Sequence, residues 1–219
     1  MSRSGTVIFD LDGTLVDSER LVARAINESL TGFGTAMPSF CESMVRGKLF
    51  IDRARILQEC AGVPMDPELF ANRLRDRYDE IWRREGIPMM IGAEALLKEL
   101  RRSGMRLGLT SNGDRAYVEA ILKRCGWSSF FDATVAFDDV GSPKPDPAIY
   151  RETLRRLQVS AEQAAAIEDS LAGMESAHAA GVHVIAVTEG TVPPWVIQQV
   201  RSLEELSLDG LKTILYGKD

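Results

Sequence analysis

The stretch that decides the fold is VIFDLDGTLVDSE, residues 7–19, in which a short apolar run ends in two aspartates. Its first three residues predict a buried strand, because β-branched and aromatic side chains are enriched in strands. Side chains two apart in an extended chain share a face, so the carboxylates of Asp10 and Asp12 are expected to reach one reaction centre together. Alone, the D-x-D-G pattern is more typical of a solvated turn.

Five short apolar runs recur along the chain, each ending in polar residues or glycine. They are Thr6–Phe9, Arg106–Thr110, Thr134–Phe137, Ala164–Ile167 and Val182–Val187. Helical patterns lie between the later runs or precede them: Ala93–Arg102, Arg115–Arg124, Pro147–Leu157 and Leu171–Ala180. Alternating strands and helices predict the α/β class, here a Rossmann-like parallel sheet of five or more strands sandwiched by helices.

Residues 17–88 break this alternation, because they contain no strand-like run. Their apolar residues recur at helical spacing, as in Leu21/Ala25/Ile26/Leu30, Ile51/Ala54/Ile56/Leu57 and Leu69/Leu74/Tyr78/Ile81. The pair Asp66-Pro67 marks the start of a helix. The pattern predicts an all-helical cap domain over 17–88, inserted into a catalytic core formed by 1–16 and 89–219.

Composition excludes several classes of function. The net charge is −6, and the arginines of 73–84 alternate with acidic residues, so we expect no nucleic-acid partner. No segment approaches the roughly 18 apolar residues of a membrane span. The three cysteines are odd in number and far apart, which argues against a disulfide framework and favours a reducing, cytoplasmic location. With two histidines and no CxxC pair, a thiolate and imidazole zinc site is not expected.

A second acidic pair, Glu168 and Asp169, follows the fourth apolar run. In open α/β sheets, ligands bind beyond the carboxyl ends of the strands, where this pair would meet Asp10 and Asp12. Crowded carboxylates repel one another unless a cation neutralises them. Magnesium fits best, because it binds through a few carboxylates together with water and phosphate oxygens.

Three further polar residues follow other strands. Ser111 and Asn112 open the turn after the second run, where a hydroxyl and free backbone N–H groups favour an anion. Lys144 lies between two prolines, and a fixed ammonium there can bind phosphate and offset the carboxylates. Alone, the first pair is an ordinary helix cap and the lysine an ordinary surface residue. Their joint occurrence at successive strand ends favours a phosphate site.

In combination, these motifs resemble the haloacid dehalogenase-like superfamily, in its helical-cap branch of sugar-phosphate phosphatases and β-phosphoglucomutases. The resemblance covers essentially the whole chain. It rests on residues 7–19, on Leu109-Thr-Ser-Asn112, on Ser142-Pro-Lys-Pro-Asp-Pro147 and on Ile167-Glu-Asp-Ser-Leu-Ala-Gly173.

The resemblance implies roles for these residues. Asp10 would be the nucleophile that forms an aspartyl-phosphate, and Asp12 the general acid and base. Ser111, the amide of Asn112 and Lys144 would hold the transferring oxygens.

The resemblance also implies a Mg²⁺ ion and its ligands. Asp10, the backbone carbonyl of Asp12 and Asp169 would hold the ion, with Glu168 supporting it directly or through water. The ion would let an anionic nucleophile approach an anionic phosphate ester.

The position of Asp12 discriminates within the family. Dehalogenases lack an aspartate there and phosphonatases carry a small residue, so phosphatase and phosphomutase remain. The mutases carry a histidine and an arginine in the cap. This cap has no histidine, and Phe50 stands where the arginine is expected. Arg53 or Arg55 could take the place of that arginine. Hydrolysis is favoured, with a β-phosphoglucomutase-like phosphomutase as the alternative and a catalytically silent regulatory protein as a third reading.

Arg46, Gly47 and Lys48 resemble the substrate-facing loop of the family's cap. A cationic pair there suits a sugar phosphate or a sugar acid phosphate, such as hexose phosphate or 6-phosphogluconate, although basic residues on a helical domain are also typical of a solvated face. The expected partner is a small-molecule phosphate ester, and the expected assembly a monomer or weak homodimer.

Overall fold

The computed structural model describes residues 5–46 and 48–217, so Gly47 of the predicted cap loop lies outside the described residues. Contacts divide the chain into two compact units. One unit consists of Met1–Val16 and Met89–Asp219, and the other of Asp17–Pro88.

The described residues form six strands and nine helices, besides short 3-10 turns. In chain order these are β1 (Thr6–Asp10), α1 (Ser18–Thr31), α2 (Glu42–Val45), α3 (Phe50–Ala61), α4 (Pro67–Glu85), α5 (Ala93–Arg102), β2 (Arg106–Ser111), α6 (Arg115–Cys125), β3 (Ala133–Ala136), α7 (Ala148–Leu157), β4 (Ala164–Glu168), α8 (Leu171–Ala179), β5 (His183–Val187), β6 (Gln198–Val200) and α9 (Leu208–Tyr216).

The first unit contains one parallel sheet with the strand order β3-β2-β1-β4-β5-β6. The predicted α/β class is confirmed, and β6 joins the five strands expected from apolar runs. Strand β1 is central, and the order reverses beside it, so a ligand crevice is expected at the carboxyl ends of β1 and its neighbours.

The register of the central strands aligns their polar ends. Phe9 pairs with Leu109 of β2 and with Ile167 of β4, so Asp10 and Glu168 end adjacent strands at the same edge of the sheet. All five residues of β1 are buried, as expected for a strand covered on both faces. The core of this sheet therefore fixes the positions from which the polar ends emerge.

Capping residues are found at the start of the 3-10 turn before β4 and at the start of α7. Ser160 and Gln163 have the spacing of a capping box, and the box is formed at a 3-10 turn before β4. The cap residue of α7 is Pro147, so the helix begins one residue later than the predicted pattern Pro147–Leu157. Asp146 still accepts a hydrogen bond from the backbone N–H of Ala148, at 2.8 Å.

The second unit is helical, as its sequence pattern predicts. Asp66 caps α4 by accepting from the N–H groups of Glu68 and Leu69, and Pro67 opens the helix. Leu69, however, is 62% exposed, whereas Phe70 is fully buried, so the predicted apolar stripe of this helix was wrong at that point. The buried face of the first turn is one residue out of phase with the stripe.

The cysteine arrangement also corrects the sequence analysis. Cys41 and Cys60 form a disulfide across 19 residues, and Cys125 is free. Cys41 lies in a 3-10 turn before α2 and Cys60 near the end of α3, and the packing of this unit brings the two together. The odd cysteine count therefore did not exclude a single bridge.

No helix in the described parts of the chain combines the length and the apolar character that crossing a bilayer requires.

Candidate active site

Lys144 joins the ends of the two central strands. Its ammonium lies 2.5 Å from Oδ1 of Asp10 and 2.7 Å from Oε1 of Glu168, donating a hydrogen bond to each. Only 7% of Lys144, 6% of Asp10 and none of Glu168 is exposed. A buried ammonium is therefore shared between two buried carboxylates.

The pKa values of Asp10 and Lys144 are both raised, for different physical reasons. Burial raises the pKa of the Asp10 carboxyl to about 7; Lys144 acts against this rise, whereas Glu168 adds to it. For Lys144, burial by itself lowers the pKa, but the charges of Asp10 and Glu168 outweigh burial and raise it above the usual lysine value. The lysine is thus held in its charged form, and the negative charge around it is only partly compensated.

Glu168 has a second donor that the sequence analysis missed. The hydroxyl of Tyr150, on α7, donates to Oε1 of Glu168 at 2.6 Å. Burial, together with the charge of Glu168, raises the pKa of Tyr150 well above its ordinary value. The other carboxylate oxygen, Oε2, is buried and has no hydrogen-bond partner among the described residues. Buried carboxylate oxygens are costly to leave unpaired, so this atom indicates an additional ligand.

Two glycines leave room for the carboxylates. A Cβ built at Gly173 would overlap the Glu168 carboxylate, and one built at Gly13 would overlap that of Asp169. Gly13 also has a φ of +87°, which disfavours any other residue. The tight turn after β1 and the first turn of α8 therefore need glycine to admit these side chains.

Three carboxylates meet at this edge of the sheet. Oxygens of Asp10, Glu168 and Asp169 all lie within 4.8 Å of one another. The cluster has only oxygen donors, and its three carboxylates lie beside the buried ammonium of Lys144, which is bonded to two of them. Together with the unpartnered Oε2 of Glu168, this donor set fits a hard divalent cation. The side chain of Asp12 is not in the cluster; only the backbone carbonyl of Asp12 is expected to hold the ion.

Asp12 accepts hydrogen bonds from two donors, one at the end of β2 and one on α6. Ser111 donates to Oδ2 of Asp12 at 3.2 Å, and Tyr117 donates to Oδ1 at 2.6 Å. Of these, Ser111 was predicted as a site residue and Tyr117 was not. Asn112 has a structural contact as well, because its Oδ1 accepts the backbone N–H of Lys144 at 2.9 Å and ties the lysine loop to the turn.

The predicted cap residues lie in the other unit. Arg46 and Lys48 are exposed there. Arg53 is buried, forms a two-pronged ion pair with Glu19 at 2.6 and 3.2 Å, and donates to the carbonyl of Lys48 at 2.6 Å.

Comparison with known proteins agrees with this geometry. Residues 7–187 match the haloacid dehalogenase-like hydrolase family. The chain is 34% identical over 190 residues to protein CbbY of Cereibacter sphaeroides, with 82% of each chain covered. It is 31% identical over 180 residues to a phosphorylated carbohydrates phosphatase of Thermotoga maritima, again with 82% of each covered. It also matches a bifunctional riboflavin kinase/FMN phosphatase of Arabidopsis thaliana, at 30% identity over 185 residues; the match covers 84% of this chain but only 48% of that longer relative.

A solved structure gives the same result. The crystal structure of CbbY from Rhodobacter sphaeroides in complex with phosphate superposes with a TM-score of 0.80 at 28% identity, covering 95% of this chain and 99% of that one. The chain belongs to the haloacid dehalogenase-like hydrolase family. The prediction of a phosphoric monoester hydrolase is confirmed, because the chain belongs to this hydrolase family and its relatives include proteins named as phosphatases.

Proposed function

We propose that the protein is a magnesium-dependent phosphatase that hydrolyses small phosphorylated metabolites, namely sugar phosphates or sugar acid phosphates, through an aspartyl-phosphate on Asp10. The observation that supports this most directly is the convergence of Asp10, Glu168 and Asp169 around the buried ammonium of Lys144. A purely structural site would gain little from collecting so much buried charge.

The proposed reaction uses two carboxylates in two roles. A carboxylate oxygen of Asp10 attacks phosphorus, the bond from phosphorus to the ester oxygen breaks, and protonated Asp12 gives its proton to the departing alkoxide. Asp12, now a carboxylate, then takes a proton from water while that water attacks phosphorus. The bond between phosphorus and Asp10 breaks, and both aspartates return to their starting state.

The remaining residues hold charge in place. Lys144 keeps Asp10 aimed and would hold a phosphoryl oxygen, together with Ser111 and the backbone amide of Asn112. Asp10, Asp169 and the backbone carbonyl of Asp12 would hold the Mg²⁺, with Glu168 supporting it directly or through water. When bound, the ion supplies positive charge that offsets repulsion between the carboxylates and the phosphate.

Replacing Asp169 with asparagine tests the metal site. The substitution removes one of the three clustered charges. Mutating a residue that only supports a metal ligand typically costs roughly 10- to 100-fold in metal affinity. Because Asp169 is proposed to be a ligand itself, we expect the Mg²⁺ concentration for half-maximal activity to rise by at least that factor. Calorimetric titration of Mg²⁺ into the protein checks the affinity independently of turnover. Asp209→Asn, at an exposed position on α9, is the matched control. An unchanged metal dependence in Asp169→Asn would refute the ligand role.

The alternative phosphomutase is disfavoured by the contacts of Arg53. An arginine that grips a second phosphate must be available to it, whereas Arg53 is buried and paired with Glu19. Breaking a buried pair leaves an uncompensated charge, which is strongly destabilising. Arg55 is exposed and lies 3.6 Å from Asp52, so it stays available to that alternative.

A phosphate-release screen over a broad panel of phosphorylated metabolites, with and without Mg²⁺, tests the proposed function. We expect Mg²⁺-dependent release, fastest with sugar phosphates or sugar acid phosphates, since one relative is named for phosphorylated carbohydrates. An aldose 1-phosphate supplied with a trace of its bisphosphate separates the alternative, because a mutase forms the isomer without comparable phosphate release. Absence of release from every ester would overturn the proposal.

Other parts of the sequence-based interpretation stay predictions. Exposed Arg46 and Lys48 are proposed to favour anionic polyol substrates; if aromatic phosphates were turned over far better than every sugar phosphate, that role would be abandoned. A cytoplasmic location and a monomeric or weakly dimeric state are likewise part of the proposal.

A further inference from the structure

We infer that Tyr117 is a positioning residue for Asp12, an inference that rests on the proposed phosphatase function. The phenol oxygen of Tyr117 lies 2.6 Å from Oδ1 of Asp12, although the two residues are 105 apart in the chain. A hydrogen bond to a carboxylate at this distance is among the stronger contacts available to a neutral donor. It ties the proposed acid and base to helix α6.

Tyr117 is one of two donors that fix the Asp12 carboxylate. Ser111 donates to the other oxygen, Oδ2, at 3.2 Å, and accepts the backbone N–H of Gly113 at 2.9 Å. With a donor on each oxygen, rotation of the carboxylate breaks at least one bond. Removing the hydroxyl of Tyr117 would leave Ser111 as the remaining donor of this pair.

The local fold holds Tyr117 firmly in this position. The backbone N–H of Tyr117 donates to the capping carboxylate of Asp114 at 2.8 Å. Its ring lies against Gly113, where an added Cβ would come within 2.6 Å of Cδ1 of the tyrosine. Gly113 therefore provides the space that lets the ring cross the turn and reach Asp12.

Asp12 needs an accurate orientation in both halves of the proposed cycle. It must point first at the departing ester oxygen and then at the attacking water, and small misplacements of a catalytic group reduce rate strongly. If Tyr117 served only to fill space, its hydroxyl would be dispensable. A phenylalanine at this position keeps the ring and removes only the hydrogen bond.

The test compares Tyr117→Phe with wild type on 4-nitrophenyl phosphate in saturating Mg²⁺. 4-Nitrophenolate leaves without needing a proton, so the rate of phosphoryl transfer to Asp10, seen as the first nitrophenolate release after rapid mixing, should be little changed. Hydrolysis of the aspartyl-phosphate needs Asp12 as base. Its rate, and with it kcat, should fall by about 10- to 100-fold, the range for losing a hydrogen bond to a charged group. Tyr216→Phe, near Gly5 at the opposite end of β1, is the matched control.

The Asp12→Ala background separates positioning from a general structural role. There Tyr117→Phe should cause no further loss, because the group it orients is gone. Equal slowing of both steps, an equal further loss in Asp12→Ala, or an unchanged kcat would each overturn the inference while leaving the proposed function intact. A wild-type chain that forms no aspartyl-phosphate and releases no nitrophenolate would overturn the proposed function, and this inference with it.

Discussion

In the Asp10→Asn variant, kcat is expected to fall by a factor on the order of 10⁴ or more. Losses of this size follow when the nucleophile is removed from a set of catalytic residues that act together. Asparagine keeps the shape of the side chain but not a carboxylate oxygen that can attack phosphorus. Rapid quenching with radiolabelled substrate, followed by hydroxylamine cleavage, measures the aspartyl-phosphate directly. Wild type should accumulate it, and the variant should not.

The fold should survive this substitution. Lys144 keeps its contact with Glu168, and the variant removes a carboxyl whose burial disfavours its charged form. Thermal unfolding in chelator should therefore show a melting temperature no lower than that of wild type at pH 8. Asp209→Asn should match wild type in both rate and melting temperature. Retained turnover and a labelled intermediate in Asp10→Asn would remove Asp10 as the nucleophile.

Replacing Lys144 with methionine is expected to destabilise the metal-free protein by about 3–5 kcal/mol at pH 8, the usual result of removing one partner from a buried ion pair. Asp10 and Glu168 would then be two buried carboxylates without their shared ammonium. Urea denaturation in chelator measures the free energy of unfolding. Catalytic turnover should also fall, because the ammonium is proposed to hold a phosphoryl oxygen.

The pH dependence of this loss has a definite sign. The pKa of Asp10 is about 7 in the fold, above its ordinary value of 3.8, and Lys144 lowers it. Without Lys144 the folded-state pKa rises further. A raised carboxyl pKa contributes stability that is present below pH 4 and lost as pH rises through the folded pKa, so Lys144→Met should be penalised more at pH 8 than at pH 5.

Mg²⁺ and a matched lysine provide the controls for this prediction. Saturating Mg²⁺ should restore part of the lost stability, because the ion would neutralise the same carboxylates. Lys98→Met removes an exposed lysine 3.0 Å from Glu94, a pair that contributes little, and should leave the free energy of unfolding within about 0.5 kcal/mol of wild type. A Lys144→Met protein as stable as wild type at pH 8 would contradict the idea of a strained carboxylate pair.

The elements that local pattern determines were predictable. The start of α4 at Asp66-Pro67 and the capping box of Ser160 and Gln163 follow from contacts within a few residues. β6 was not predicted, because it is a three-residue edge strand beginning with two glutamines and has no apolar run. The Cys41–Cys60 bridge was missed for a similar reason, since it depends on how helices of one unit pack.

Some residues of the candidate site were likewise predictable from the sequence, whereas their partners were not. Asp10 and Glu168 end strands, and Lys144 and Asp169 come after strand ends, so the topology of a parallel sheet predicts that they meet at one edge. Their exact partners depend on packing between distant segments. Tyr150 and its contact with Glu168 illustrate this, because an aromatic residue on an amphipathic helix is indistinguishable in sequence from core packing.

The central place of β1 has a consequence for synthesis of the chain. On the ribosome, β1 emerges well before either of the strands that flank it, β2 at residue 106 and β4 at residue 164. Until β2 is translated, the backbone N–H and C=O groups along both edges of β1 stay unpaired, a state that invites wrong pairing, while the helical segment of 17–88 can already close on local contacts. The nascent polypeptide thus completes its reactive centre only after β4 has been translated, so a stalled product shorter than that contains the nucleophile but lacks one of the two strands that flank it.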